Sequence, residues 1–493
     1  MARLSFTSIS FLFFLLFTSL QFMNFRTTLA RKSQKQSKTT PLVLSLRYSR
    51  TSLLLPKSSS STKTPNSTRR LSLEPLAMME PLREVRDGYI IPILLGTPPQ
   101  VIQVYMDTGS DLTWVPCGNL SFECMDCDDY RNSKILSTIF SPTRSPSSVR
   151  DLCGSSFCID IHNSDNFLDP CTMAGCSLTT LLKSTCPRPC PSFAYTYGAG
   201  GVVTGTLTRD TLRVHESYSP NITKEIPNFC FGCVGSSHRE PIGIAGFGRG
   251  LLSLPSQLGF LQNGFSHCFL PFKFANNPNM SSLLIVGDLA ISSQDEKHLQ
   301  FTPMLKSLMY PNFYYVGLEA IKVGDSSVTE IPLSLREFDS NGNGGMLIDS
   351  GTTYTHLPEP FYSQLLSLLK SVISYPRAKE MESRTGFDLC HNVPYSNSST
   401  NTADSQLLPT ISFHFLNNVS IVLSEGSHFY AMAPPHNSTV VKCLLFQSME
   451  DGDYGPAGVL GSFQQQNVKV VYDLGKERIG FQQMDCASAA ASA

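Results

Sequence analysis

The sequence predicts an all-β (mainly β-strand) body made of two lobes that face each other. Three observations predict it. The composition is turn-rich and aromatic, with 33 Gly, 32 Pro and 10% Phe, Trp and Tyr, which favours short strands and tight turns over helical bundles. At 493 residues the chain exceeds one ordinary domain and suits two lobes plus processing segments. A motif also recurs. The apolar run Val101–Met106 leads into Asp107-Thr108-Gly109-Ser110, and Met346-Leu347-Ile348 leads into Asp349-Ser350-Gly351-Thr352. Each copy is followed at a distance by an apolar-apolar-Gly turn, Ile244-Ala245-Gly246 and Val459-Leu460-Gly461. One copy per half implies a duplicated unit.

The N-terminal segment reads as a signal peptide over residues 1–30: Arg3 supplies positive charge, Ile9–Phe17 an apolar core, and Thr28-Leu29-Ala30 small residues for cleavage. The apolar run is broken by Thr18, Ser19, Gln21 and Asn24 and is shorter than the ~20 residues a span requires, so no stable membrane anchor is expected. Residues 31–86 carry 12 Lys/Arg against 3 Glu, with Ser58–Ser61 unbroken and few periodic apolar positions. They read as a mostly unstructured basic Ser/Lys-rich leader or removable propeptide. Residues 87–290 are assigned to an N-terminal lobe and 291–493 to a C-terminal lobe. From residue 87 onward 24 Lys/Arg face 36 Asp/Glu. That acidic body argues against nucleic-acid binding, since little there would neutralise phosphates.

Within the body, Tyr89–Leu95 and Val101–Met106 read as strands around the turn Gly96-Thr97-Pro98-Pro99-Gln100. The clearest helix is Glu359–Ser374, with an apolar stripe through Phe361, Leu365, Leu366, Leu368, Leu369, Val372 and Ile373. Fifteen cysteines behind a secretion signal imply an oxidising compartment and a disulfide framework, and their odd number leaves at least one thiol free or paired elsewhere. Nine fall in 117–190, a Ser-, Asp- and Pro-rich stretch that reads as a disulfide-stapled surface insertion. Cys124-Met125-Asp126-Cys127 and Cys230-Phe231-Gly232-Cys233 also have the spacing of metal or redox pairs, although disulfides suit a secreted chain better. Sequons at Asn119, Asn221, Asn279, Asn397, Asn418 and Asn437 suggest a glycosylated surface.

The duplicated Asp motifs carry the chemistry. Amide hydrolysis needs an activated nucleophile and an acid for the leaving nitrogen. Two carboxylates in contact supply both, because like charges at close range share one proton. The ionised member takes a proton from water, while the protonated member polarises the carbonyl and then protonates the amine. Asp107 and Asp349 are the candidates. Gly109 and Gly351 permit a tight turn with amides aimed at each carboxylate, and Ser110 and Thr352 can bond its outer oxygen. Thr108 and Ser350 complete the two motifs.

From Tyr89 to Cys486 the chain resembles the pepsin-type (A1) aspartic proteases, and within them the plant nepenthesin-like and atypical branch. The resemblance runs through Leu95–Gln100, Asp107–Val115, Tyr197-Gly198-Ala199-Gly200-Gly201, Phe231-Gly232-Cys233, Gly246–Gly250, Phe265–Cys268, Ile348–Thr353 and Val471-Tyr472-Asp473, in the family's order. It implies a bilobal pepsin-like acid protease fold with the active-site cleft between the lobes, and makes 117–190 that branch's insertion. It also implies a hairpin flap carrying Tyr197, Gly198 and Gly200, with Trp114 beside it donating to the Tyr197 hydroxyl. Ala199 and Gly201 depart from the flap pattern, in which relatives often carry Asp or Thr and Ser, and so remove side chains able to bond substrate backbone. The resemblance further implies a Cys390–Cys443 disulfide and a bond from Cys268 to Cys486. Pairings within 117–233 stay unassigned.

The expected protein is therefore a secreted, extracellular (cell-wall or apoplast) plant aspartic endopeptidase, with the vacuole as the alternative location, made as a zymogen and acting on polypeptides at acidic pH. It is expected to be inhibited by pepstatin-like compounds, to be monomeric, and to use no cofactor and no metal. The rival is a catalytically weak or inactive binding protein resembling plant xylanase inhibitors, whose Asp motifs are degraded; both motifs are intact here. The absence of Gly-x-Ser-x-Gly and His-Glu-x-x-His disfavours serine and zinc hydrolases.

Overall fold

Strands form where the sequence alternates apolar and polar residues or runs apolar between turns, and the two halves then repeat one arrangement around their Asp motifs. A computed structural model describes residues 42–49 and 88–492, apart from 124–138, 164–168, 199, 217–218, 241, 260, 262, 275–276, 278, 292–294, 328–330, 396–407, 433 and 450–454. The described residues hold together as one unit.

In the first half, Gly88–Leu95 and Gln100–Asp107 form a hairpin, pairing Ile90 with Tyr105 and Leu95 with Gln100. Gln100–Asp107 then runs parallel to Gly243–Gly246, setting Asp107 opposite Gly246. Trp114–Glu123 meets Gly243–Gly246 in antiparallel sense at Trp114 and Ile244, and lies parallel to Ser219–His238 with Trp114 opposite Gly232. The second half repeats this in a separate five-stranded sheet. Met346–Ile348 runs parallel to Gly458–Leu460. Thr355–Pro358 meets Gly458–Leu460 in antiparallel sense at His356 and Val459, and lies parallel to Phe446–Met449.

The largest sheet, of 14 strands among the described residues, joins the halves. Phe265–Cys268 of the first half pairs antiparallel with Val468–Asp473 of the second, Phe265 opposite Tyr472. Aromatic rings fill this seam: Phe265 stacks on Tyr472 at 4.2 Å between centroids and meets Tyr314 edge-on at 5.9 Å. The architecture is the mainly β, bilobal pepsin-like fold.

One expectation is corrected. Leu42–Ser49, inside the supposedly unstructured leader, is a strand of that large sheet. It pairs with Ser282–Val286 on one side, Leu42 opposite Val286, and with Gly88–Leu95 on the other, Ser49 opposite Gly88. Leu42, Leu44 and Leu46 are buried. A period-two Leu-x-Leu-x-Leu pattern was there to be read, but three leucines stand out poorly in a segment dominated by Ser and Lys. Burying them is worth roughly 5–9 kcal/mol before chain entropy is charged, so backbone pairing and apolar burial hold this segment.

The helix of the second half spans Phe361–Val372, shorter than Glu359–Ser374, because Pro360 takes the N-cap position and Ile373 is already extended. Its buried stripe is Phe361, Tyr362, Leu365, Leu366 and Leu369. The described part of 117–190 holds three short helices, Ser156–Asn163, Pro170–Met173 and Leu178–Leu182, pinned by the disulfides Cys153–Cys171, Cys158–Cys190 and Cys176–Cys186. Cys117 pairs with Cys233, Cys268 with Cys486, and Cys390 with Cys443. Cys230 is the free thiol among the described residues; burial, the largest cause, and the nearby Asp151 carboxylate push its pKa up. Cys124 and Cys127 lie outside the described residues.

Candidate active site

Each of the two motif carboxylates sits just where a buried strand turns. Asp107 ends Gln100–Asp107, Asp349 follows Met346–Ile348, and both are buried. The turns satisfy their carboxylates identically. Gly109 N–H donates to Asp107 Oδ1 at 2.9 Å, and Gly351 N–H to Asp349 Oδ1 at 2.7 Å. The Ser110 hydroxyl donates to Asp107 Oδ2 at 2.5 Å, and the Thr352 hydroxyl to Asp349 Oδ2 at 2.5 Å. Charge-assisted bonds of this kind fix a carboxylate more firmly than neutral ones.

The glycines also bring the two carboxylates face to face. A Cβ on Gly109 would stand 2.7 Å from Asp349 Cγ, and one on Gly351 would stand 2.5 Å from Asp107 Cγ. Any side chain at either position would therefore have to displace the opposite carboxylate. Thr108 and Ser350 lock the approach from below. Thr108 Oγ1 donates to the Ile348 carbonyl at 2.9 Å and accepts Ser350 N–H at 2.9 Å. Ser350 Oγ donates to the Met106 carbonyl at 3.0 Å and accepts Thr108 N–H at 3.0 Å. Four bonds thus cross between the halves with two-fold pseudosymmetry.

The apolar-apolar-Gly turns exist because another stretch of backbone crosses there. A Cβ on Gly246 would run into the Asp111 carbonyl, and one on Gly461 would lie 2.5 Å from the Tyr354 carbonyl carbon. Phe247 N–H donates to the Asp107 carbonyl at 2.7 Å, and Asp349 N–H to the Leu460 carbonyl at 3.2 Å. Beyond these turns sit polar residues that sequence reasoning did not single out. Asp111 accepts from Gly250 N–H and Asn312 Nδ2, both at 2.7 Å. Gln465 Nε2 donates to the Leu460 carbonyl at 2.8 Å. For Asp111 the signal was the glycine spacing of Gly246-Phe247-Gly248-Arg249-Gly250; Asn312 and Gln465 carry no local signal.

The hairpin turn Tyr197–Gly201 closes through Tyr197 N–H to the Gly201 carbonyl at 2.8 Å and Gly200 N–H to the Tyr197 carbonyl at 2.9 Å. Gly200 needs its positive φ of 82° there, and Gly198 and Gly200 are exposed. Trp114 Nε1–H donates to the Tyr197 hydroxyl at 2.6 Å, with both side chains buried. The Tyr195 hydroxyl, held by the backbone amides of Asp111 and Leu112, ties the same hairpin to the loop after Asp107. Ala199 lies outside the described residues. A Cβ on Gly201 would meet the buried Glu240 side chain, whose Cδ lies 3.1 Å from that point.

Of the sequon residues, Asn119, Asn279, Asn418 and Asn437 are exposed. Asn221 lies in the strand Ser219–His238, and Asn397 lies outside the described residues. Among the described residues, the two groups close enough to converge on a metal are Cys153, Cys171, Cys176 and Cys186, and Cys158, His162 and Cys190. Every cysteine in them is in a disulfide, which removes the thiolates a soft metal would need.

A duplicated β fold with two facing, amide-held carboxylates defines a pepsin-type aspartic protease architecture. Comparison with known proteins narrows it. Family models described as xylanase inhibitor N-terminal and C-terminal match residues 89–288 and 313–483. A probable aspartyl protease of Arabidopsis thaliana is 33% identical over 437 residues, covering 81% of this chain and 82% of that protein. Aspartic proteinase nepenthesin-1 of Nepenthes gracilis is 30% identical over 407 residues, covering 82% of this chain and 79% of its own. Among solved structures, soybean basic 7S globulin shares the fold at a TM-score of 0.58 with 19% identity, covering 92% of this chain and 97% of its own. Conglutin gamma from lupine seeds does so at 0.58 and 17%, covering 92% and 98%. The chain belongs to the plant branch of the pepsin-type (A1) aspartic protease family.

Proposed function

We propose that this protein is an active aspartic endopeptidase that hydrolyses polypeptides at acidic pH through Asp107 and Asp349. The observation that carries the reading is the mutual contact of the two turns, each glycine lying against the opposite carboxylate. Carboxylates so placed share one proton. The ionised member activates a water held between them, and the protonated member polarises the scissile carbonyl and later protonates the leaving amine. Ser110, Thr352 and the Gly109 and Gly351 amides keep both oxygens oriented at no cost during the reaction. Tyr197, Gly198 and Gly200, braced by Trp114, form the flap over substrate.

Processing follows the same reading: residues 1–30 direct secretion, 31–86 form a propeptide whose Leu42–Ser49 strand stays in the body until activation, and the mature enzyme is an extracellular or vacuolar glycoprotein acting as a monomer. Among the described residues, no helix is long and apolar enough to cross a membrane. The matching family models are described by xylanase inhibitors, which keeps a binding role as the second reading. The complete donor sets around both carboxylates weigh for catalysis. Incubating the secreted chain with denatured casein or haemoglobin between pH 3 and 8, with and without pepstatin, tests the choice. Pepstatin-sensitive cleavage strongest at acidic pH is expected; no cleavage at any pH, with xylanase inhibition instead, favours the second reading.

A further inference from the structure

Asp111 stands four residues beyond Asp107, outside the reacting pair, at the point where the halves meet. Its Oδ1 accepts Gly250 N–H and its Oδ2 accepts Asn312 Nδ2–H, each at 2.7 Å. Asn312 belongs to the second half, and its own carbonyl accepts Arg249 N–H at 2.9 Å. The Tyr314 hydroxyl adds a parallel link, donating to the Phe247 carbonyl at 2.7 Å.

The loop so clamped, Gly246–Gly250, runs straight into the catalytic turn. Phe247 N–H bonds the Asp107 carbonyl at 2.7 Å, and Gly248 N–H bonds the Ser110 carbonyl at 2.9 Å. Ser110 in turn holds Asp107 Oδ2. The loop is shaped around the Asp111 carboxyl: a Cβ on Gly250 would stand 2.5 Å from Asp111 Cγ, and one on Gly248 would strike Oδ1. A side chain at either glycine would break the cradle.

We propose that Asp111 is a positioning residue for Asp107: its carboxyl latches the Gly246–Gly250 loop to Asn312 of the other half. The charged and titratable groups facing it are Asp107 and Asp160, the phenols of Tyr195 and Tyr314, and Arg249, which turns toward Glu477 at 3.7 Å. Burial is the main cause that pushes the Asp111 carboxyl up to about 6. Asp160 and Asp107 push the same way, and the bonds from Gly250 and Asn312 oppose them. The folded carboxyl thus holds its proton more tightly than an unfolded one, whose pKa is about 3.9. The stability it contributes is full below that value and is lost as pH rises from about 4 through about 6. The buried charge thus costs the folded state stability above about pH 4, although the Gly250 and Asn312 N–H bonds hold the ionised carboxylate more firmly than the neutral acid.

The kinetic half of this proposal rests on the peptidase reading; the stability half does not. The test uses the secreted full chain as wild type, Asp111→Asn and Asn312→Ala, recording melting temperature, kcat and KM from pH 4 to 8. Wild type should lose stability relative to Asp111→Asn as pH rises, the gap widening by about 3 °C or more. At pH 4, Asn312→Ala should lower kcat about tenfold with KM little changed, because the loop it frees supports Asp107; a merely structural role would reduce the amount of folded enzyme and not kcat per folded molecule. If Asp111→Asn does not fold, the Asn312→Ala kcat decides. A pH-invariant stability gap overturns the buried charge, and an Asn312→Ala kcat equal to that of wild type overturns the latch. No cleavage by any variant, with the stability gap as expected, would instead sink the peptidase reading and leave the latch standing.

Discussion

Around Asp107 and Asp349 the same contacts recur: a glycine amide two residues on, a hydroxyl three residues on, and a Thr or Ser that crosses to the other turn. One step further out the turns part. Behind Asp107 the backbone crossing is held by a carboxyl, Asp111, wrapped in a glycine loop. Behind Asp349 the supports are neutral amides. Gln465 Nε2 donates to the Leu460 carbonyl at 2.8 Å, and Gln464 Oε1 accepts Thr355 N–H at 2.8 Å. On the proposed mechanism the inner ring is fixed by its chemistry, which treats the two carboxylates as one unit. The outer ring only has to hold position, so the halves could diverge there. Mutational effects should accordingly be symmetric close in and asymmetric, with pH dependence on one side, further out.

The largest effect that can break this comparison comes from the crossing hydroxyls. Thr108→Ala and Ser350→Ala each remove two buried inter-half bonds, and each should lower kcat/KM by about 10- to 100-fold through misplacement of the pair. Thr108→Ser should recover most of the loss. Unequal losses from the two alanine variants would show that the inner ring is not symmetric.

Next in size is His267, on the strand that joins the halves. Burial lowers its pKa from the usual 6.5 to about 3, and its ring stacks on Phe269 at 3.9 Å. Only the unfolded chain takes up that proton between those values, so stability is present above about 6.5 and lost as pH falls. This opposes the effect of Asp111. His267→Phe should gain ~2–3 kcal/mol at pH 4.5 and little at neutral pH. Melting curves at both values check it, and a gain equal at both would contradict it. Subtracting the His267 contribution sharpens the pH signature left for Asp111.

The smallest effect concerns the hairpin over the first turn. Tyr197→Phe removes the acceptor of the Trp114 N–H and should cost about 1 kcal/mol. Trp114 is the only tryptophan, so its emission reports the change directly; unaltered emission would mean that the bond is not formed in solution.

How far the sequence discloses this arrangement depends on how local each feature is. Asp107, Asp349 and their neighbours are legible because each carboxylate is held by a glycine amide and a hydroxyl within three residues of it, in a motif that occurs twice. The Trp114–Tyr197 contact spans 83 positions and was reached only through the family resemblance. Asp111 with Asn312 spans 201, and neither residue type announces a partner. The Leu42–Ser49 strand was obscured for a different reason: its three buried leucines lie in a segment whose overall composition is that of a disordered chain. Disulfide partners in the insertion were not legible, since spacing alone leaves many connectivities open, whereas folding brings Cys153 and Cys171 to a Cα separation of 4.9 Å.

The central claim is that Asp107 and Asp349 act as one catalytic unit. It is tested most directly by the rate of casein cleavage at pH 4 for Asp107→Asn, Asp349→Asn and the double variant, each shown to be folded by its melting curve. The two carboxylates acting together predict that each single variant falls by at least about 10³-fold, and that the double variant is no slower than either single one. A single variant that keeps a sizeable fraction of the wild-type rate, or losses that add in the double variant, would contradict it.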